Sequence, residues 1–319
     1  MAATTFETAA PPRRVARSPW RDALRRFLRK RAAVVCLFFL LVVYLSGLLA
    51  PWVAPYDFRA QDLDSASQGP SLSHPLGTDR LGRDVFSRMI WGARTAAIVS
   101  IAAVATGSLV LGLVLGSMAG YFGKWVDTII MRIGDIFLAF PGLLLVIFIA
   151  ATLKPRAVAL AVAMEDRLGV QGIVASGVVD YFVVFGALAL FGWVGMARLV
   201  RGIMLSLKES QFVEAARALG ANPWRIIFRH MLPNAMGPII VTISMAMGGT
   251  VTSEVVLSWL GIGIQPPNPS WGTMLWENQG MLRSNPHLLL VPAALVAAVI
   301  FAFNILGDGL NDALNPRSR

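Results

Sequence analysis

Apolar residues in this chain are grouped into long runs that are separated by polar segments. A helix needs about 20 mostly apolar residues to cross a hydrocarbon core of roughly 30 Å, and six runs approach or exceed that length. They lie at about residues 32–54, 95–120, 133–153, 182–200, 236–264 and 288–306. The pattern predicts an all-α polytopic membrane protein with six transmembrane helices. Pro141 is predicted to fall inside the third of them.

The polar segments predict how the chain is organised around these spans. Residues 1–31 form an N-terminal tail that begins rich in Thr, Ala, Pro and Arg and ends in a basic amphipathic stretch suited to anionic lipid headgroups. Residues 55–93 form a long external loop, and residues 154–181 are expected to form a small helix on the outer rim. Residues 312–319 form a C-terminal tail. The run at 32–54 is too long for the 7–15-residue core of a signal peptide, so we expect it to remain as a span.

Composition and charge narrow the class of protein. Hydrophobic residues make up 56% of the chain and charged residues 14%, against about 25% charged in ordinary soluble domains, which argues against a water-soluble enzyme. The net charge of +10 would suit a nucleic-acid partner. However, 19 of the 28 Lys and Arg residues lie in the tails and loops on one predicted side of the membrane. The positive-inside rule then puts both termini in the cytoplasm and explains the charge without nucleic acid.

Cysteine and histidine residues give no sign of a metal centre. Cys36 is the single cysteine, which excludes a disulfide within the chain and a cysteine-based zinc site. His74, His230 and His287 are too widely scattered, on different predicted sides of the membrane, to form a site together. We therefore predict no metal site in this chain.

The cytoplasmic loop at residues 206–233 has the pattern of two helices joined by a turn. Phe212, Ala216 and Leu219 are spaced to share one helix face, and Gly220 follows where a helix C-terminal glycine belongs. Asn222 is placed to cap a second helix, which Pro233 is predicted to end. This second helix carries an apolar stripe, which consists of Trp224, Ile227, Phe228 and Met231. Such a loop either docks into a groove of a partner protein or braces the bundle, and the pattern alone favours neither.

The same loop resembles the EAA loop of importer-type ABC permeases, commonly written EAA-x3-G-x9-I-x-LP. Glu214, Ala215 and Ala216, then Gly220, and finally the Leu232–Pro233 pair match it, whereas His230 stands where the consensus has Ile. Further stretches are similar to the C-type permease subunit of dipeptide, oligopeptide and nickel importers. These stretches are residues 74–88, 120–127, 254–272 and 304–316.

The resemblance implies a type I ABC importer permease fold, with a transmembrane domain at residues 94–311, in a bacterial or archaeal cytoplasmic membrane. In that family the EAA loop docks into a cleft of an ATPase subunit. Glu214 would contact the ATPase or fix the turn, Ala215 and Ala216 would permit close approach, and Gly220 would make the bend. The implied partners are a homologous second permease, two ATPase subunits and an extracytoplasmic binding protein, besides membrane lipid. ATP and Mg would belong to the ATPases, because the sequence has no Gly-x4-Gly-Lys-Ser/Thr phosphate loop, and no catalytic residue is predicted.

Several residues outside the loop have two interpretations each. Glu254, inside the fifth span, either lines a translocation path or is a hydrogen-bonded packing residue, because a charge in the bilayer must face protein or water. A cluster in the external loop either contacts the binding protein or forms a local salt-bridged turn. Its members are Asp79, Arg80, Arg83 and Asp84. A set of small residues in the second span predicts a helix-packing face, with a second permease as one candidate partner. Its members are Gly112, Gly116 and Gly120.

The expected function is that of a non-enzymatic permease subunit that forms half of the path of a peptide importer. Nickel import is the alternative within the same class, because the two branches share these motifs. A stand-alone secondary transporter would instead have inverted repeats and paired charges within the membrane, and the sequence has neither.

Overall fold

The computed structural model describes residues 19–169 and 172–314. The predicted Thr/Ala/Pro/Arg-rich start of the N-terminal tail and the last five residues of the C-terminal tail, Pro316 included, lie outside the described residues. The α-helices of the described part are α1 (Pro19–Arg29), α2 (Arg31–Leu48), α3 (Ala50–Val53), α4 (Val85–Ala103), α5 (Leu113–Phe122), α6 (Lys124–Leu138), α7 (Gly142–Leu168), α8 (Val178–Lys208), α9 (Gln211–Ala218), α10 (Pro223–Arg225), α11 (Leu232–Trp259), α12 (Trp271–Asn278) and α13 (His287–Leu314).

Two π-helical segments and two short 3-10 turns complete the described elements. The π-helical segments are Val104–Gly112, which joins α4 to α5, and Ile226–Met231, which joins α10 to α11. The 3-10 turns are Leu63–Ser65 and Gln279–Met281. Through the π-helical joints, Val85–Phe122 and Pro223–Trp259 each run as one uninterrupted helical rod.

Six helices of the described chain are long and apolar enough to cross a membrane, which confirms the predicted six-span all-α architecture. They are Arg31–Leu48, Val85–Phe122, Gly142–Leu168, Val178–Lys208, Pro223–Trp259 and His287–Leu314. Several are longer than the apolar runs that predicted them, because helices continue into polar and mixed segments beyond the hydrocarbon core. The second span begins ten residues before the predicted start, where the Asp84 side chain accepts a hydrogen bond from the backbone N–H of Ser87 at 2.7 Å and caps the helix.

The third span lies further along the chain than the sequence predicted. Residues 133–153 with Pro141 inside the helix were expected, but α6 ends at Leu138 and α7 begins at Gly142. Pro141 stands before the first turn of α7 with φ −57° and ψ 118°, outside the helical region. Proline disfavours a helical conformation in the residue before it and has no N–H to donate, so it separates two helices here.

The predicted small helix within residues 154–181 is not a separate element. The third span continues through Pro155 to Leu168, so most of this segment extends α7. Gly169 leaves the helix at φ +64°, and α8 begins at Val178. An ion pair of 2.8 Å between Lys154 and Asp180 joins α7 to the start of α8.

The glycines of the second span pack against α8 of the same chain. A Cβ atom on Gly112 would lie 2.6 Å from Met196 Cβ, and one on Gly116 would lie 2.6 Å from the carbonyl oxygen of Ala197. The packing face predicted from Gly112, Gly116 and Gly120 therefore exists, but the proposed orientation toward a second permease is wrong. Small residues on this face let the α5 and α8 backbones approach closely.

The π-helical segment keeps a fourth glycine on this face. Gly107 also meets α8, where a Cβ atom would lie 2.6 Å from the carbonyl oxygen of Ala189. Gly107 and Gly112 are five residues apart, and residues at this spacing do not lie on the same face of a regular α-helix. The wider π turn restores the alignment.

The ends of the spans opposite the 206–233 loop are covered by the 55–84 segment, by α12 and by the loop before α12, which together we call the outer cap because the sequence predicts this side to be external. Trp271, at the start of α12, is completely buried, and its indole N–H donates to the carbonyl of Met89 at 3.1 Å. Gly92 makes room for this ring, since a Cβ atom there would lie 2.6 Å from Trp271 Cδ1. This contact fixes the outer cap to the second span.

Candidate functional site

The first helix of the 206–233 loop is α9, and it turns only part of its apolar surface toward the bundle. Val213 and Ala216 are buried in a core shared with α8 and α11, whereas Phe212 and Leu219 are exposed. The spacing of Phe212 and Ala216 places them on one side of α9, as predicted, but Leu219 follows the end of the helix and only Ala216 of the three is buried. Glu214 and Ala215 are exposed on the outer side of α9.

The turn after α9 has the predicted construction. Gly220 adopts φ +75°, which costs glycine little, and its N–H donates to the carbonyl of Arg217 at 2.9 Å. The Asn222 side chain accepts a hydrogen bond from the N–H of Trp224 at 3.0 Å, and Pro223 occupies the first position of α10. A Cβ atom on Gly220 would meet nothing within 4 Å, so its backbone conformation, not crowding within this chain, favours glycine here.

The second helix of the loop does not end at Pro233, as the sequence had suggested. It continues through the π-helical segment Ile226–Met231 into α11, so the loop and the fifth span form one rod. Pro233 lies in the first turn of α11, next to the change of helix type, where its missing N–H is tolerated. Leu232 is buried and Pro233 is exposed. This final pair of the EAA-like motif forms the start of α11.

Four large apolar side chains of the loop are exposed and form what we call the loop apolar surface. Leu219 is 88% exposed, Trp224 44% and Phe228 50%, and Phe212 completes the set. The rings of Trp224 and Phe228 stack with centroids 5.9 Å apart. A cluster of large apolar side chains on a polar loop is typical of a protein contact surface.

The loop is fixed to the bundle by contacts with the helices around the second-to-third span connection. The Arg217 guanidinium of α9 lies over the Tyr121 ring, 5.5 Å from its centroid. Just before the loop, the Arg201 guanidinium of α8 donates two hydrogen bonds to the Asp127 carboxylate of α6, at 2.5 and 2.6 Å. The Phe122 ring lies edge-on to Trp224 at 6.0 Å. The bracing role considered for the loop is therefore present, and the loop apolar surface remains exposed in addition to it.

A groove of about 300 Å³ lies among the spans, between the π-helical segment of the second span and helices α7, α8 and α11. Its polar lining comes from small side chains, with Ser108 on the second span and Thr250 and Ser253 on α11. Gly192 of α8 and Gly249 of α11 leave room beside them. The sequence analysis missed this groove, although hydroxyl and glycine residues recurring on one side of an apolar helix were a visible signal.

Glu254 does not line that groove. Its side chain is buried, with 1% of the residue exposed, and its Oε1 accepts a hydrogen bond from Ser258 Oγ at 2.8 Å. Ser258 Oγ in turn accepts from the backbone N–H of Ile264 at 3.1 Å. In this geometry Glu254 fixes the chain reversal after α11, as the packing interpretation of this residue requires.

The external cluster predicted at residues 79–84 is largely an internal ion network. Asp79 Oδ2 accepts from Arg83 Nε at 2.7 Å and from Arg88 Nη1 at 2.5 Å. Glu277 of α12 accepts from Arg83 Nη2 at 2.9 Å and lies 2.7 Å from Arg88 Nη1. Arg88 and Glu277 were missed by the sequence analysis, because Glu277 is distant in sequence and Arg88 stands in an apolar run.

The two ends of the external cluster have different environments. Asp84 is buried, caps α4 and lies 3.0 Å from His74 Nδ1. Arg80 is exposed and borders an open cavity of about 490 Å³ that Trp276 and Gln279 also line. Of the four predicted residues, only Arg80 is exposed for contact with another protein. Among residues 19–169 and 172–314, no group of three or more His, Cys, Asp or Glu side chains is arranged to hold a metal ion.

Two family profiles match the sequence. Residues 112–319 match the binding-protein-dependent transport system inner membrane component, and residues 18–70 match the N-terminal TM domain of oligopeptide transport permease C. Together these matches cover the chain except residues 1–17 and 71–111.

Curated relatives match over nearly the whole chain. The glutathione transport system permease protein GsiD of Pectobacterium atrosepticum is 41% identical over 302 residues, which cover 94% of this chain and 92% of the relative. The dipeptide transport system permease protein DppC of Alkalihalophilus pseudofirmus is 37% identical over 318 residues, covering 99% and 96%. A solved inward-facing structure of the MetNI methionine ABC transporter matches with a TM-score of 0.49 and 16% identity, covering 71% of this chain and 98% of that chain.

Proposed function

Because the chain belongs to the family of binding-protein-dependent transport system inner membrane components, we propose that it is the permease subunit of an ATP-driven importer of short peptides. The relatives GsiD and DppC are named for the transport of glutathione and of dipeptides, and both substrates are short peptides. Their substrate class therefore favours peptide over nickel for this chain.

The loop apolar surface is the observation that carries the coupling part of the proposal. It presents Leu219, Trp224 and Phe228 beyond the end of the bundle, where an ATPase subunit with an apolar cleft would bury them. Glu214 and Ala215 are exposed on α9 nearby, and their small or acidic side chains suit close approach and a polar contact with such a cleft.

A continuous rod supports a mechanical route from this surface to the groove. The helix runs from Pro223 to Trp259 without interruption, and Gly249, Thr250 and Ser253 lie on its far half. When ATP binding draws two ATPase subunits together, a loop held in their clefts moves with them. The rod then carries that displacement to the groove wall and switches its access between the two sides of the membrane.

The groove supports a path shared with a second permease. It is partly open, and a homologous subunit would close it into a complete passage whose mostly apolar wall carries the hydroxyl groups of Ser108, Thr250 and Ser253. Uncharged donors and acceptors suit the amide groups of a peptide without binding it so tightly that release becomes slow.

In such a transporter, separate subunits hydrolyse ATP and deliver the substrate, and these subunits are the remaining partners that we propose. Two ATPase subunits would hold ATP and Mg, so this chain would need no cofactor and catalyse no reaction. A binding protein would deliver the substrate on the outer side, near Arg80 and Trp276. Both termini and the EAA loop would then lie in the cytoplasm of a bacterial or archaeal cell, in accord with the distribution of Lys and Arg.

Reconstituted transport tests the proposal. The complete transporter in proteoliposomes, with its binding protein and ATP, should accumulate a labelled dipeptide or glutathione and should not accumulate nickel. Leu219→Asp should abolish ATP-dependent uptake while the variant folds normally, because Leu219 has almost no contacts within this chain. The control Leu72→Asp changes a fully exposed leucine of the 55–84 segment and should leave uptake intact. Nickel uptake, or unchanged peptide uptake by Leu219→Asp, would contradict the proposal.

A further inference from the structure

An apolar groove of about 310 Å³ lies at the end of the bundle where α1 meets the spans. All of its lining side chains are apolar. They come from four helices and include Ala23, Leu24, Phe27, Leu37, Ile240 and Leu310. Its volume falls at the lower end of the range of about 300–1,000 Å³ that is typical of small-molecule sites.

The groove exists because α1 is fixed against the sixth span. Ala23 and Phe27 are buried, and Phe27 belongs to the core that α13 shares with α2. Lys30, the single residue between α1 and α2, pairs with Asp312 near the end of α13 at 2.7 Å. Since α2 enters the membrane directly after Lys30, α1 and the groove lie at the level of the membrane surface.

The exposed side of α1 is strongly basic. The cationic residues of α1 and of the start of α2 are all exposed, against one acid, Asp22. They are Arg21, Arg25, Arg26, Arg29, Lys30 and Arg31. Leu24 is the most exposed of the lining residues that α1 contributes. Arg21 precedes it by three residues, and Arg25 follows it directly. An apolar groove lined by a helix whose exposed side chains are mostly guanidinium groups complements an anionic amphiphile.

We propose that this groove is a binding site for an anionic phospholipid, with one acyl chain in the groove and the headgroup phosphate bound by Arg21 and Arg25. The side of the membrane that we assign to the cytoplasm is the side on which anionic lipids concentrate in many membranes. The chain's own ends suit the groove less well. Residues 315–319 are Asn, Pro, Arg, Ser and Arg, and residues 1–18 have Met1, Phe6 and Val15 as their only large apolar side chains.

Lipid binding to the intact transporter in detergent, measured by native mass spectrometry, tests the site. Phosphatidylglycerol and phosphatidylcholine with identical acyl chains separate charge recognition from apolar binding. Leu24→Trp fills the groove without removing charge, and Leu28→Trp is its matched control, because Leu28 is similarly exposed (60% against 58%) on the same helix but does not line the groove. Arg21→Ala with Arg25→Ala removes the headgroup contacts, and Arg283→Ala removes an exposed charge at the outer end.

We expect the intact chain to retain phosphatidylglycerol in preference to phosphatidylcholine. The double arginine variant should lower phosphatidylglycerol affinity about 25-fold, from roughly fivefold for each basic residue. Leu24→Trp should abolish the retained lipid, and both controls should behave as the unmodified chain. Equal retention of the two lipids, or no effect of Leu24→Trp, would overturn the proposal. So would stronger lipid binding by a chain that lacks residues 2–17, because the chain's own terminus would then occupy the groove. None of these readouts depends on transport.

Discussion

Trp224 and Phe228 stack one helical turn apart, with ring centroids 5.9 Å from each other, and both rings keep about half of their surface exposed. The two residues belong to the helical rod that runs on into the fifth span. A pair of aromatic rings at the exposed end of a rigid helix is suited to receive force from a partner and transmit it along the helix.

Replacement of Trp224 and Phe228 by alanine should uncouple transport without unfolding the protein. Buried aromatic anchors at protein interfaces commonly contribute 2 kcal/mol or more, so docking to the ATPase should weaken at least about thirtyfold. The thermal midpoint should change little. Trp52→Ala serves as the control, because Trp52 is 79% exposed but lies in α3, outside the loop. The measurement is ATP-dependent uptake by the complete transporter. Full coupling in the double variant would show that these rings are not part of the docking contact.

Gly116→Ala should destabilise the bundle. The new methyl group would lie 2.6 Å from the carbonyl oxygen of Ala197, so α5 and α8 must separate, which costs roughly 1–3 kcal/mol. Gly195→Ala is a matched control, because a Cβ atom there meets nothing within 4 Å and alanine favours a helix. Thermal unfolding of both variants in the same detergent should give a lower midpoint for Gly116→Ala alone. Equal midpoints would contradict the close packing of α5 against α8.

Arg201→Lys should weaken the junction between α8 and α6. Lysine keeps the charge but loses the fork that donates two hydrogen bonds to Asp127. Because the pair is partly exposed, we expect a loss of only about 1 kcal/mol. A double-mutant cycle with Asp127→Asn checks the assignment: the effect of Arg201→Lys should largely vanish in the Asp127→Asn background. Additive effects would mean that the two side chains do not interact.

Glu277→Ala should strongly destabilise the outer cap. It leaves buried Arg88 and Arg83 with Asp79 as their remaining carboxylate partner, and the loss of one member of a buried ion network costs roughly 3 kcal/mol. Limited proteolysis of the 55–84 segment reports on the cap. Arg80→Ala, at an exposed neighbour, should leave proteolysis unchanged and should instead reduce stimulation by the binding protein. A resistant cap in Glu277→Ala would contradict the structural role of the network.

The sequence was sufficient for the number of spans and for the turn at Gly220, because both depend on local properties. Six apolar runs are long enough to cross a bilayer, and Gly220 with Asn222 and Pro223 encodes the end of one helix and the start of the next. The break at Pro141 was misplaced, because apolar residues on both sides of the proline hid the boundary between α6 and α7.

Contacts between distant residues were beyond the sequence analysis. One of the two carboxylate partners of Arg88 is Glu277, almost two hundred residues later. The inward side of α9 is set by Val213 and Ala216, which pack on α8 and α11. The alignment of Gly107 with the later glycines depends on a π-helical segment, which a search at regular helical spacing does not detect.

Site-directed photocrosslinking from position 219 tests whether the loop apolar surface contacts an ATPase subunit. Cys36 is the only cysteine, so Cys36→Ser with Leu219→Cys gives one attachment point for a photoreactive group, and Leu72→Cys gives the matched control on the outer side. We expect the purified transporter to crosslink from position 219 to the subunit that hydrolyses ATP, with a yield that changes when ATP is bound. Position 72 should not crosslink to that subunit. Absence of that crosslink in a transporter with active ATPase subunits would contradict coupling through the loop apolar surface.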